Sequence, residues 1–307
     1  MIPANETFHG TFPFAPHFST APGFRMHYAD EGSGPVVLCL HGEPTWGYLF
    51  RHLIAQLSHS YRVIVPDHMG FGKSETPGNR SYWLQDHILN IEQFVLDLDL
   101  QQITLVLHDF GGPVGMGLAA RHPERIARVI NVNGPAPFGQ PSLPQRFAAN
   151  LEDSPWFRWI MAAHPHGKLE TILNEIHYNI LSTLKLNGFE RNELITDTWL
   201  EAYRAPFLTA ADCRGVLGWA KGIATGQHVF ETPSEKARNI ISALPALAIW
   251  GMADQTVQGK HFLPLIRETF PNGQIYELPG VGHYSPEDDP ETIGLLIRQF
   301  LSLTAKN

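Results

Sequence analysis

The stretch Leu105-Val-Leu-His-Asp-Phe-Gly-Gly-Pro-Val-Gly115 (LVLHDFGGPVG) decides how the chain is read. A run of apolar residues beginning at Ile103 has the length and branching of a buried strand, and it stops at His108-Asp109. Two glycines then open a segment with helical character, GPVGMGLAARHPERI, which ends near His122-Pro123. Asp109 therefore stands on a sharp strand-to-helix turn. An isolated aspartate there is ordinarily a turn residue or a helix N-cap, so its meaning depends on what the rest of the chain brings beside it.

Outward from this turn, short β-branched runs alternate with amphipathic stretches. PVVLCLHG (35–42), YRVIVPD (61–67), ARVINVNG (127–134), LPALAIWG (244–251) and GQIYELPG (273–280) read as strands. WLQDHILNIEQFVLDLDL (83–100) and ETIGLLIRQFLSL (291–303) read as helices, the former with Leu84, Ile88, Ile91, Val95 and Leu98 at spacings of three or four. The pattern predicts an α/β fold with a mostly parallel sheet flanked by helices. Between about 138 and 230 it changes to proline-rich sequence and then helices without a strand. We expect residues 1–136 and 231–307 to form one core domain, with 137–230 inserted as a helical cap.

The bulk properties exclude several classes. With 307 residues and 43% hydrophobic content a sizeable core is available. A formal charge of −8 gives no footprint for nucleic acid or an anionic membrane. The N-terminus lacks the basic-then-apolar pattern of a signal peptide, and no apolar run is long enough to span a bilayer, so a cytoplasmic protein is expected. Cys39 and Cys213 are too few for a disulfide framework or a thiolate metal site, and no H-E-x-x-H or similar ligand cluster occurs. MGFGKSETP (69–77) contains Gly-Lys-Ser without the upstream glycine of a phosphate loop. No cofactor or metal is implied.

Three polar groups follow predicted strands: Asp109, Asp254 in WGMADQTV, and His283 in GVGHYSPEDDP. Open α/β sheets place their sites at such strand ends. Singly each is a common turn or loop residue, and the chain has 16 histidines. The order nucleophile position, acid, histidine is that of the α/β-hydrolase triad, with aspartate where G-x-S-x-G would supply serine. HGEPTW (41–46) follows a strand where an oxyanion loop belongs.

Together HGEPTWGYLFRHL, VIVPDHMGFGKSETP, LHDFGGPVG, AYRAPF, GMADQ and GVGHYSPEDDP resemble the haloalkane dehalogenase family of α/β-hydrolases, from about residue 22 to the C-terminal helix. The resemblance implies that Asp109 is the nucleophile, His283 the base that activates water, Asp254 its charge partner, and the backbone N–H groups of Glu43 and Phe110 the oxyanion hole. The substrate would be a small apolar organic molecule, attacked with water as second reactant. The family position of Glu43 holds either glutamate or an asparagine that helps to bind halide, and Glu43 is expected to orient the hydrolytic water or nearby backbone. Phe110 departs from the family's tryptophan, whose indole N–H donates to the departing halide. Phenylalanine has no such donor. Trp156, Trp159 and Trp199 in the cap are candidates for a replacement, with packing as the plainer role for each. The related epoxide hydrolases protonate an alkoxide with cap tyrosines, for which Tyr178 and Tyr203 are available. The same triad also suits aspartate-nucleophile relatives that open β-lactones, and some α/β-hydrolase folds only bind ligands. The sequence does not specify an oligomeric state.

Overall fold

The computed structural model describes residues 2–305. Its centre is an eight-stranded sheet in the order β1-β2-β4-β3-β5-β6-β7-β8. The strands are β1 (His17–Ser19), β2 (Met26–Glu31), β3 (Val36–Leu40), β4 (Arg62–Pro66), β5 (Ile103–Leu107), β6 (Ile126–Val132), β7 (Ala246–Gly251) and β8 (Gln274–Leu278). From β4 to β8 every pairing is parallel, while β2 runs antiparallel to both β1 and β4. The central strands β3, β5 and β7 are buried almost throughout, as helices on both faces require.

The helices between β3 and β6 are α1 (Arg51–Leu57), α2 (Leu84–Asp97) and α3 (Gly111–Arg121). Helix α2 turns Leu84, Ile88, Ile91 and Val95 inward, the stripe expected from their spacing, whereas Leu98 falls at its C-cap. Six helices then follow without a strand: α4 (Leu143–Asp153), α5 (Pro155–Ala163), α6 (Lys168–Leu173), α7 (Ile176–Asn187), α8 (Asp197–Arg204) and α9 (Arg214–Thr225). Helix α10 (Glu235–Ser242) leads back to β7, and α11 (Gly259–Thr269), α12 (Ser285–Asp288) and α13 (Pro290–Leu303) complete the chain. Among the described residues no helix is long and apolar enough to cross a membrane.

Strands β1 and β2 are not foreshadowed by any apolar pattern in the sequence. β1 is only three residues long, and β2 is the polar segment MHYADE, whose Asp30 is held by Arg62 of the neighbouring strand. Its pairing comes from tertiary contact instead.

Candidate active site

Strand β5 ends at Leu107, and the chain turns so tightly that Asp109 adopts φ +48°. A non-glycine residue held there costs on the order of 1–3 kcal/mol, offset by the surrounding packing. Both glycines that follow are required: a Cβ on Gly111 would lie 2.0 Å from the Leu40 carbonyl oxygen, and one on Gly112 2.0 Å from that of Pro135. Asp109 is thereby carried to the carboxyl end of the sheet, at the N-terminus of α3, where helix dipole and free N–H groups favour an anion.

The Glu43 backbone N–H donates to Asp109 Oδ1 at 2.8 Å. Gly42 makes this approach possible, because a Cβ there would stand 2.1 Å from that oxygen. The other oxygen, Oδ2, is 3.4 Å from His283 Nε2. His283 Nδ1 lies 2.8 Å from Asp254 Oδ2, and Asp254 Oδ1 accepts from the backbone N–H groups of Thr256 and Val257 at 2.7 and 2.8 Å. The Asp109–His283–Asp254 constellation is therefore assembled from the turns after β5, β8 and β7. All three side chains are buried.

The charges support one another. Burial alone would raise the Asp109 pKa, but the hydrogen bond and charge of His283, together with the Phe110 N–H, hold it below the usual carboxylate range. Burial would likewise lower His283, yet the Asp254 charge and the two carboxylates' hydrogen bonds raise it to about 10. That shift favours the protonated form of the His283 ring, which lies between the Asp109 and Asp254 side chains. Glu43, buried beside Asp109, behaves oppositely: loss of hydration and the Asp109 charge raise its pKa well above normal.

Two residues absent from the sequence-based site organise it. Asn133, also at φ +48°, donates from Nδ2 to Asp254 Oδ2 at 2.8 Å and to the Gly251 carbonyl at 3.1 Å, and its Oδ1 accepts from Gly251 N–H. Its position in the motif VNG, which reads as the end of a strand, hides this role; the strand ends at Val132. His108 donates from Nε2 to the His283 carbonyl at 2.9 Å and fixes the loop that carries the base.

Asp109 opens onto a cavity of ≈ 30 Å³ lined by Phe110, Pro113, Pro135, Phe147, Phe157, Ile223, His228, Phe230, Val257 and Phe262. Helices α4, α5 and α9 contribute Phe147, Phe157 and Ile223 to its wall. Phe110 packs 4.2 Å, centroid to centroid, from Trp219 and 5.2 Å from His228. Trp219 gives its indole N–H to His87, and both His228 nitrogens are engaged, by Leu84 N–H and the Trp219 carbonyl.

Trp156, Trp159, Trp199, Tyr178 and Tyr203 do not line this cavity. Tyr178 is 82% exposed and points away from the core. Tyr203 donates to Glu287, which also pairs with Arg51, and so ties α8 to α12. Trp156 stacks on Trp159, and Trp199 stacks on Phe189. Packing, the plainer role named for each tryptophan, is what these contacts describe: on an amphipathic helix, spacing defines a face, but the packing of neighbouring helices decides what that face meets. The residues that do face Asp109, among them Phe147, Phe157 and His228, carry no motif of their own.

Comparison with known proteins agrees with this architecture. The family model for the alpha/beta hydrolase fold matches residues 35–290. A cis-3-alkyl-4-alkyloxetan-2-one decarboxylase of Shewanella oneidensis is 33% identical over 95% of this chain and 90% of its own. Haloalkane dehalogenase 2 of Mycobacterium tuberculosis is 29% identical over 93% of this chain and 94% of its own. Among solved structures, the epoxide hydrolase VrEH1 of Vigna radiata superposes with a TM-score of 0.75 at 24% identity, covering 94% of this chain and 98% of the other. The chain belongs to the α/β-hydrolase fold family, as a haloalkane dehalogenase-like enzyme.

Proposed function

We propose that the protein hydrolyses a carbon–heteroatom bond of a small apolar molecule through an ester on Asp109, in the manner of haloalkane dehalogenases. The observation that carries this reading is the Asp109 side chain itself, held at one oxygen by the Glu43 N–H and facing an apolar cavity, with His283 beside it keeping its pKa low. A carboxylate needs no base to displace a leaving group from saturated carbon. Ester formation removes the Asp109 charge, one of the causes that hold the His283 proton, so the imidazolium can release it and become a base. Water activated at Nε2 then attacks the ester carbonyl, and the Glu43 and Phe110 N–H groups receive the tetrahedral oxyanion. Asp254, fixed by Asn133 and two backbone N–H groups, keeps Nε2 directed at the reacting water. In this reading residues 137–230 are a cap that closes the apolar side of the site, around a core of 1–136 and 231–307, and the enzyme works in the cytoplasm.

A second reading, opening of an oxetan-2-one ring, is favoured by Phe110, which gives a halide no side-chain donor. The Shewanella oneidensis relative supports it. Both readings begin with attack by Asp109. The test is a His283→Phe protein incubated with 1-bromohexane or a cis-dialkyl oxetan-2-one and analysed by intact mass and peptide mapping. A hexyl adduct on the Asp109 peptide supports dehalogenation, and addition of the whole lactone supports ring opening. An adduct mapped elsewhere, or none with either probe, contradicts the nucleophile assignment. His283→Phe should lower steady-state hydrolysis by about 10²–10⁴-fold, the usual worth of a general base.

A further inference from the structure

Helix α7 ends at Asn187, and residues 187–191 run onto the two turns that carry Asp254 and His283. The Asn187 carbonyl accepts from Thr256 Oγ1 at 2.9 Å, and the Thr256 N–H in turn holds Asp254 Oδ1. The Gly188 carbonyl accepts from the His283 N–H at 2.9 Å. A Cβ on Gly282 would lie 2.0 Å from that carbonyl oxygen, so the two segments meet backbone to backbone just before His283. One side chain closes the contact. Asp288, in α12 and 1% exposed, accepts from the Gly282 N–H at Oδ2, 2.8 Å away, and from the Arg191 and Glu190 N–H groups at Oδ1, 3.1 and 3.3 Å away. Arg191 Nη1 adds a bond to the Asp288 carbonyl at 2.8 Å. A carboxylate accepts at both oxygens and so matches donors on two sides, whereas an amide would turn its NH₂ group toward one of them. The neighbouring Glu287 faces Arg51 and Tyr203, which anchor α12 independently of Asp288.

We propose that Asp288 is a positioning residue for ester hydrolysis: by pinning residues 190–191 to Gly282 it fixes the backbone of His283 and keeps the ring in line with the Asp109 ester. The proposal rests on Asp109 being the nucleophile and His283 the base. The shortest bond of the ring runs from Nδ1 to Asp254 Oδ2, at 2.8 Å, and serves as a pivot. Where Nε2 points about that pivot follows from the backbone, which Gly188 holds at the His283 N–H, His108 at the His283 carbonyl, and Asp288 at the residue before. Asp109 is placed separately, by the turn after β5 and by the Glu43 N–H. Loosening the Asp288 contact therefore falls on the step that needs a base. Ester formation needs none and is spared.

The two steps separate positioning from mere structural support, because a loss of folded protein lowers both alike. The experiment is a single turnover with excess enzyme, using whichever of 1-bromohexane and a cis-dialkyl oxetan-2-one forms the adduct, with the Asp109 ester followed by quenched intact mass as it appears and decays. Asp288→Asn keeps the shape and one acceptor. A displacement of about 1 Å costs roughly a hundredfold, so the variant should slow ester decay at least about tenfold relative to ester appearance. In a His283→Phe background the same substitution should change the decay by less than about twofold, since Asp288 acts through the ring that is no longer there. Arg191→Ala, at a half-exposed position, removes only the bond to the Asp288 carbonyl and should slow decay in the same direction by a smaller factor. It decides the matter alone if Asp288→Asn does not fold. A decay-to-appearance ratio unchanged in the folded variants overturns the proposal while leaving Asp109 as nucleophile. Equal slowing of decay with and without His283 overturns it too, because the effect would not pass through the base. Absence of any Asp109 ester in the unsubstituted and His283→Phe proteins overturns the nucleophile reading and this proposal with it.

Discussion

Asn133 shows how much of the site depends on a residue that performs no chemistry. Its side chain joins the turn after β6 to Asp254 and Gly251, while its carbonyl accepts from the Asp109 N–H at 3.2 Å. Replacing it with alanine strands buried groups and puts a poorer left-handed residue at φ +48°. Asn133→Ala should cost about 2–4 kcal/mol of stability by denaturant unfolding and slow ester hydrolysis more than ester formation in single-turnover traces; equal slowing of both steps would mean that it supports Asp109 rather than Asp254. Phe110→Trp tests the opposite limit. The indole would add the donor missing here, but the ring already packs 4.2 Å from Trp219 against a cavity of ≈ 30 Å³. Overpacking of this kind costs about 1–3 kcal/mol, so the urea midpoint should fall, and an unchanged midpoint would show that the wall yields freely. That Asp109, Asp254 and His283 lie side by side was legible because each follows a parallel strand, and parallel strands bring their ends to one edge. The cap side chains were not, since Tyr203 turns to Glu287 and Tyr178 to the surface through packing that no local pattern encodes.

The decisive element is the pairing of two turns, Gly42-Glu43 after β3 and Asp109 after β5. Strands β3 and β5 are parallel neighbours with Leu40 opposite Leu107, so both turns emerge at the same edge. The register brings the Glu43 N–H to Asp109, and Gly42 leaves room for the carboxylate. Gly42→Ala would place a methyl 2.1 Å from Oδ1 and force the nucleophile aside. A displacement of about 1 Å from attack geometry is worth roughly a hundredfold. We expect ester formation to fall by at least about that factor while the far-ultraviolet spectrum stays native; a variant that retains most of its alkylation rate would show that the carboxylate has another productive position. The parallel strands and the run of helices between β6 and β7 were legible because buried runs and helical periods are local signals. The antiparallel β1–β2 edge was not, because its polar residues are paired by tertiary contacts with β4 and the loops.

At the scale of the molecule, several histidine rings are buried where the neutral form is favoured. Burial, reinforced in part by neighbouring histidines, lowers His41, His68 and His87, and brings His228 to about 4 and His108 to about 3. Below about pH 6.5 the unfolded chain protonates these rings and the folded one does not, so stability falls with falling pH, by up to about 1.4 kcal/mol per pH unit for each ring. Two raised carboxyls act in reverse: Glu43, and Asp288, which burial raises to about 6. The rings outnumber these two carboxyls, so they set the sign of the pH dependence on the acid side. Urea midpoints should therefore drop steeply between pH 6.5 and 4.5, and a flat profile would mean that the rings are protonated in the folded state. All of this scaffolding serves one chemical event, the conversion of Asp109 to an ester that water cleaves at its carbonyl. A single turnover of excess enzyme with 1-bromohexane in H₂¹⁸O tests it most directly. Unlabelled hexanol and one ¹⁸O in the Asp109 peptide are expected; ¹⁸O in the first-turnover alcohol, with an unlabelled peptide, would show direct attack by water and contradict the ester.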